Sequence, residues 1–406
     1  MVRALAEWRS EAELSAFPYA SVVDAYQLVG KHFVDRELLA CLAELRDTLA
    51  TLPGDPTDQE LLTGFLDTAL DKWDERYDYQ TYLALGLLLG PANASDPSDQ
   101  RAAQRRRDRL TVQLVADILQ FELDAEAGKT ERLPLMRPDA RIVSKRCRLG
   151  LRAARPALTR LGLEDPAAAP TPDRSGVAEQ AAELCRTVRL DTRPDEQLRL
   201  ELSMLPAYTI HDEYLFIRVL QCFESTFALL AEHLTAAVRG LTEGQPVVAA
   251  GRLDAASAGL REAAPLFSLL ATMRIEAFRD FRCYTEGASA IQSRSYKIVE
   301  ALCRTPDPER LDSAAFHNVP EVRDRVLAGL PTLDGALRTA EADDRLTPEG
   351  RETLAQAMEG FSTTFVQWRQ THYRLAARML GEERSGTGYT EGVPYLRDAR
   401  SIPVFR

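Results

Sequence analysis

The 406-residue sequence predicts an all-α protein. Apolar residues recur at three- and four-residue spacing in nearly every long segment, the period of an amphipathic helix. No convincing run alternates apolar with polar residues, as a half-buried strand would. The punctuation agrees: "LPGDPTD" at 52–58, "GPANASDPSDQ" at 90–100 and "EDPAAAPTPDRSG" at 164–176 are rich in Pro, Gly, Ser, Asp and Ala and read as loops or linkers.

Between these breakers the periodicity predicts helices over 9–15, 20–51, 58–71, 79–89, 102–126, 141–162, 176–187, 209–241, 246–275, 291–304, 319–342 and 347–381. The 164–176 stretch is the expected boundary between a helical N-terminal region, 1–163, and a C-terminal region, 177–406, that holds most of the unusual residues. No internal repeat is evident. The segment "TIHDEYLFIRVLQCFESTF" at 209–227 opens the longest pattern. Thr209 is placed to cap its first turn, Asp212 occupies a capping-box position, and Asp212 and Glu213 put negative charge at the positive end of the helix dipole. His211 heads the row Leu215, Val219, Phe223 and Phe227 at four-residue steps, on the stripe expected to face the core.

Composition narrows the classes. With 45% hydrophobic residues the chain can bury a large core, and a net charge of −11 argues against a nucleic-acid surface. The basic run "RAAQRRRDRL" at 101–110 reads as a solvated helix face. Six cysteines (41, 147, 185, 222, 283 and 303) are far apart without a CxxC pair, as reduced core thiols of a cytoplasmic protein are; neither disulfides nor a zinc site is expected. "MVRALAEWRSEAEL" lacks the apolar core of a signal peptide, and no apolar run approaches bilayer-spanning length, so a cytoplasmic protein without membrane contact is expected. Five lysines against 45 arginines reflect nucleotide composition.

Histidine is scarce enough for a census: His32, His211, His233, His317 and His372. The patterns around His32 and His233, and the loop-like "AAFHNVPE" around His317, suit surface or satisfied structural roles. In "FVQWRQTHYRLAARMLG" the residues Phe365, Trp368, Leu375, Ala376 and Met379 share a face with His372. An inward imidazole there needs a partner, either a backbone carbonyl or the iron of a haem. The following "GEERSGTGYTEGVPYLR" is a glycine-rich polar loop able to bring backbone amides and a hydroxyl to a ligand.

Four separated segments, "YQTYLAL" at 79–85, "HDEYLFI" at 211–217, "FRCYTEGASAIQSRSYKIVE" at 281–300 and "WRQTHYRLAARMLGEERSGTGYTEGVPYLR" at 368–397, together resemble the motifs of the tryptophan 2,3-dioxygenase family of histidine-ligated haem-dependent aromatic oxygenases. The resemblance covers about half the chain. It implies a helical-bundle haem-binding core with extra N-terminal and inserted helices. It also implies haem b held axially by His372, and His211 as the distal histidine that hydrogen-bonds the substrate's indole nitrogen. Thr387 would contact the amino acid's ammonium and carboxylate. Tyr79, Tyr82 and Leu83 would close the pocket of a neighbouring subunit, making the protein an obligate homo-oligomer, dimer or tetramer. The implied reaction uses O2 to cleave the indole C2–C3 bond of L-tryptophan or a derivative, giving an N-formylkynurenine-type product.

Several positions depart from the family pattern. The carboxylate-clamping arginine aligns with Lys297, with Arg294 as a possible substitute; a lysine supplies charge without a two-pronged fork. "SAIQS" stands where the family has "SGFQS", so Ser289 and Ala290 shape a different oxygen pocket, and Tyr389 and Glu391 replace small residues in the loop. About seventy residues precede 79, and more than a hundred separate it from 211. These departures keep two alternatives open: a tailoring enzyme of specialised (secondary) metabolism that monooxygenates or rearranges a modified aromatic amino acid, and a non-catalytic haem sensor.

Overall fold

The computed structural model describes residues 5, 7–8, 13–90, 99–167, 174–381 and 393–406. Among the described residues the fold is all-α, as the periodicity predicts; the single β-type pairing is an isolated bridge between Leu135 and Ile210. Helices α1 (Tyr19–Val29), α2 (Arg36–Thr48) and α3 (Pro56–Ala69) form an N-terminal body around Tyr26, Leu42, Leu62 and Phe65. The expected helix over 20–51 is broken because Gly30 turns the chain at φ 81° and its α-carbon faces the backbone of Ala207 too closely for any Cβ. Two short helices follow, α4 (Tyr79–Tyr82) and α5 (Leu85–Leu89).

Next come α6 (Gln100–Glu126), α7 (Ala140–Leu161), α8 (Arg174–Asp191) and α9 (Pro194–Leu202), the last not anticipated from sequence. The arginine run at the start of α6 is not simply a solvated face. Arg107 is buried against Asp108 and Glu262, and Arg109 forks onto Glu196 at 3.0 and 2.7 Å. Helices α10 (His211–Thr242) and α11 (Pro246–Leu270) pack on each other at the centre, with α6 and α7 on one side. Then follow α12 (Ile275–Arg282), α13 (Arg294–Cys303), the short helices α14 (Pro308–Leu311), α15 (Ala314–His317), α16 (Pro320–Leu327) and α17 (Leu333–Ala342), the 33-residue α18 (Pro348–Leu380) and α19 (Val393–Ala399). Helix α18 packs along α11, and α13 along α10.

One sequence expectation is corrected here: α10 is long and apolar enough to cross a bilayer. Its most apolar window is 78% buried inside the bundle, so this apolarity feeds the main core, which runs from Val112 to Val404. None of the six cysteines is in a disulfide.

Candidate functional site

The start of α10 is fixed by polar contacts rather than by a Thr209 cap. Its N-cap is Ile210, without a side-chain cap bond, and the His211 N–H donates to the Leu135 carbonyl at 2.9 Å. Glu213 reaches back to accept from the N–H groups of Ala207 and Tyr208 at 2.7 and 2.9 Å and from the Tyr82 hydroxyl at 3.1 Å. Asp212 takes Arg146 at 2.6 Å and the Arg274 N–H at 2.8 Å, while Arg146 also holds Glu122 at 2.6 Å. Both acids therefore anchor the chain that precedes and surrounds the helix.

A cavity opens further along, bounded by α10, α11, α12, α13 and α18 and by α4. Helix α10 contributes Phe216, Leu220, Phe223, Glu224 and Phe227, positions that recur at three and four residues along one face. His372 faces this cavity from α18, with its ring centroid 5.3 Å from that of Trp368 and 6.4 Å from that of Phe267. No hydrogen bond among the described residues reaches its nitrogens. Burial alone pulls its pKa down to about 4, so at neutral pH the ring is uncharged and a nitrogen lone pair is available.

The opposite helices bring polar groups to the wall. Ser293 caps α13 by accepting the Tyr296 N–H at 3.1 Å, which projects Lys297 inward. Lys297 is buried, donates to the Tyr395 hydroxyl at 3.2 Å and lies 3.6 Å from Glu300. Burial opposes ionisation of Glu300, yet Lys297, Arg310 and Arg369 together hold its carboxyl well below the usual carboxylate range. Arg310 and Arg369 join Lys297 there, so this buried cluster carries more positive than negative charge. Arg282, at the C-terminal turn of α12, also lines the cavity, as do Ser289 and Ala290.

Glu224 is the single carboxylate among the described lining residues. The Tyr79 hydroxyl donates to its Oε1 at 3.2 Å, and Oε2 has no hydrogen-bond partner. Burial pushes its pKa up to about 7; the Ser293, Tyr79 and Ser295 hydroxyls offset part of that, although neither serine meets hydrogen-bond geometry.

The sequence-predicted residues divide sharply. Tyr79, Tyr82, Ser289, Ala290, Lys297 and His372 meet in the one cavity. Tyr79 and Tyr82 enter the cavity of their own chain: Gln292 accepts the Tyr79 N–H at 3.1 Å and its carbonyl takes the Gln80 amide at 3.2 Å, pinning α4 onto the 289–293 segment. Leu83 is buried beside them, outside the wall, with its carbonyl accepting Gln221 at 2.9 Å. Arg294 is half-exposed at the first turn of α13 and pairs with Glu321, away from the cavity. Thr387, Tyr389 and Glu391 lie outside the described residues.

His211 is the main correction. Its side chain is fully buried, but it is not among the lining residues; its ring stacks on Phe121 at 4.7 Å and Nε2 lies 3.3 Å from Glu122, without hydrogen-bond geometry. The four-residue row that seemed to tie it to Phe227 turns about 40° per step at 3.6 residues per turn. By Phe227 the row has swung about 160° around the helix and risen about 24 Å. A cavity face and a core face thus share one sequence stripe. Of the other histidines, His233 departs from expectation by being buried with unpartnered nitrogens, which lowers its pKa to about 4.

Sequence reasoning also missed Arg282, Leu220 and Glu224. A signal existed for the last two, since a leucine and a carboxylate share the stripe with Phe216, Phe223 and Phe227.

The chain is similar to tryptophan 2,3-dioxygenases. It is 28% identical over 228 residues to the one from Xanthomonas campestris, covering 48% of this chain and 76% of that protein. It is 26% identical over 233 residues to the one from Bradyrhizobium diazoefficiens, covering 49% and 83%. No family model matches the chain. About half of the chain lies outside these alignments to tryptophan 2,3-dioxygenases.

The residues at the cavity fit a haem. A neutral imidazole without a hydrogen-bond partner among the described residues, on a helix whose adjoining residues Trp368, Leu375, Ala376 and Met379 are aromatic or aliphatic, is the donor set a b-type haem takes.

Proposed function

We propose that this chain is a haem-dependent oxygenase of tryptophan-dioxygenase type, acting with O2 on L-tryptophan or a related indole. The observation that carries the reading is His372: a neutral imidazole, without a hydrogen bond among the described residues, presented to an aromatic cavity within a chain similar to tryptophan 2,3-dioxygenases. His372 would hold the haem, which when bound supplies iron-centred activation of dioxygen.

The chain's own residues do the rest. Phe216, Leu220, Phe223 and Phe227 exclude water and offer flat surface to an aromatic ring. Arg282 and the positively charged Lys297 cluster suit the carboxylate of an amino-acid substrate, Arg282 through a planar fork and Lys297 through a point charge held by Tyr395 and Glu300. Tyr79 and Tyr82 of the same chain line the cavity on the side of α4. Ala290 and Ile291 also line it, where an added methyl and an aliphatic group in place of an aromatic ring reshape the wall; this favours the second reading, in which a modified aromatic amino acid is monooxygenated or rearranged.

The test is aerobic turnover of the reduced, haem-loaded protein with L-tryptophan, followed by mass spectrometry. Gain of two oxygen atoms with kynurenine-type absorbance supports the first reading. Tightly bound haem with L-tryptophan left unchanged would overturn it in favour of the second.

A further inference from the structure

Glu224 is placed to do work the expected histidine does not. It is about 1% exposed, belongs to the cavity wall, and has one oxygen committed to Tyr79; the other has no bond of good hydrogen-bond geometry among the described residues, the nearby Ser293 and Ser295 hydroxyls included. A buried acceptor left unpaired carries a desolvation cost that a ligand donor can relieve. Its neighbours on the same helical face are Leu220 one turn earlier and Phe223 and Phe227 beside and beyond it, so the acceptor sits within a wall built for a flat apolar ring. The positive groups that suit a carboxylate come from other helices, Arg282 from α12 and Lys297 from α13.

We propose that Glu224 recognises the ring of the substrate, with Oε2 accepting a hydrogen bond from an aromatic N–H while Tyr79 fixes the carboxyl through Oε1. This specificity role rests on the oxygenase reading above. It accounts for how an indole could be read although His211 points elsewhere.

Binding to the ferric, haem-loaded full-length protein, measured by calorimetry, tests it with three ligands. L-tryptophan carries both donors, 1-methyl-L-tryptophan lacks only the ring N–H, and indole-3-propionate lacks only the ammonium. The wild type is expected to bind L-tryptophan about 10- to 100-fold more tightly than the N-methyl compound. Glu224→Leu places an aliphatic side chain among Phe and Leu neighbours and should reduce that preference to about 3-fold or less. Tyr79→Phe/Glu224→Leu, which also removes the hydroxyl left without its acceptor, should give the same ratio and guards against a folding artefact. Undiminished discrimination in both variants would overturn the role of Glu224. Loss of discrimination against indole-3-propionate instead would also overturn it, by assigning Glu224 to the ammonium. If the wild type binds haem but none of the three ligands, the oxygenase reading for tryptophan falls, and this inference with it.

Discussion

The two ends of α10 treat buried polar groups in opposite ways. At its first turn, Asp212 and Glu213 meet a guanidinium, a hydroxyl and three backbone N–H groups, and nearly every acceptor is used. Three turns later, Glu224 sits in an aromatic wall with Oε2 without a hydrogen-bond partner among the described residues, and His372 lines the same cavity. Satisfied polar groups hold the fold, whereas unsatisfied ones bordering a cavity are available to a ligand. His211 shows the distinction from the other side: it is buried, stacked on Phe121 and within 3.3 Å of Glu122, and it is not among the residues lining the cavity.

The largest effect should come from breaking the satisfied end. Arg146→Met leaves Glu122 and Asp212 as buried carboxylates without their shared cation, and about 3–5 kcal/mol of stability should be lost in denaturant unfolding. A loss under 1 kcal/mol would mean that the cluster is not what anchors α10.

Next in size is a pH effect. Burial raises both Glu213 and Glu224 from 4.5 to about 7, so each binds a proton more tightly folded than unfolded. Their contribution is fully present below pH 4.5 and is lost as pH rises through 7, by about 3 kcal/mol per group as an upper figure. Unfolding of wild type and Glu224→Leu between pH 4.5 and 8 should differ in slope, the variant losing less stability as pH rises; parallel curves would contradict the raised carboxyl.

His211→Ala should cost about 1–3 kcal/mol through the cavity left against Phe121, while substrate affinity stays within about 2-fold. A large fall in affinity with little change in stability would return His211 to the substrate site. The smallest effect is expected of Arg294→Ala, about 0.5 kcal/mol or less with unchanged substrate binding, because its partner Glu321 is a surface residue.

Helical periodicity made the fold class legible, because burial in a bundle imposes a three- and four-residue pattern on every helix. It could not show the break at Gly30, which arises from a backbone approach to Ala207, a residue distant in sequence. His372 was legible because its aromatic neighbours fall on the same face within two turns. His211 misled because a four-residue row drifts around the helix, and the drift matters over four steps. Arg282 was hidden because a guanidinium at the end of a short amphipathic helix looks like any surface arginine until α4, α10 and α18 close around it. The cis placement of Tyr79 and Tyr82 depended on Gln292 and on the N-terminal body, which local pattern does not reveal.

The most direct test of the central claim is haem titration of the apoprotein, read at the Soret band, for wild type, His372→Ala and His211→Ala together. Wild type and His211→Ala should saturate at one haem per chain with the same spectrum, and His372→Ala should show no stoichiometric binding. Full binding with an unchanged spectrum in His372→Ala, or loss of binding in His211→Ala alone, would contradict the assignment of the cavity.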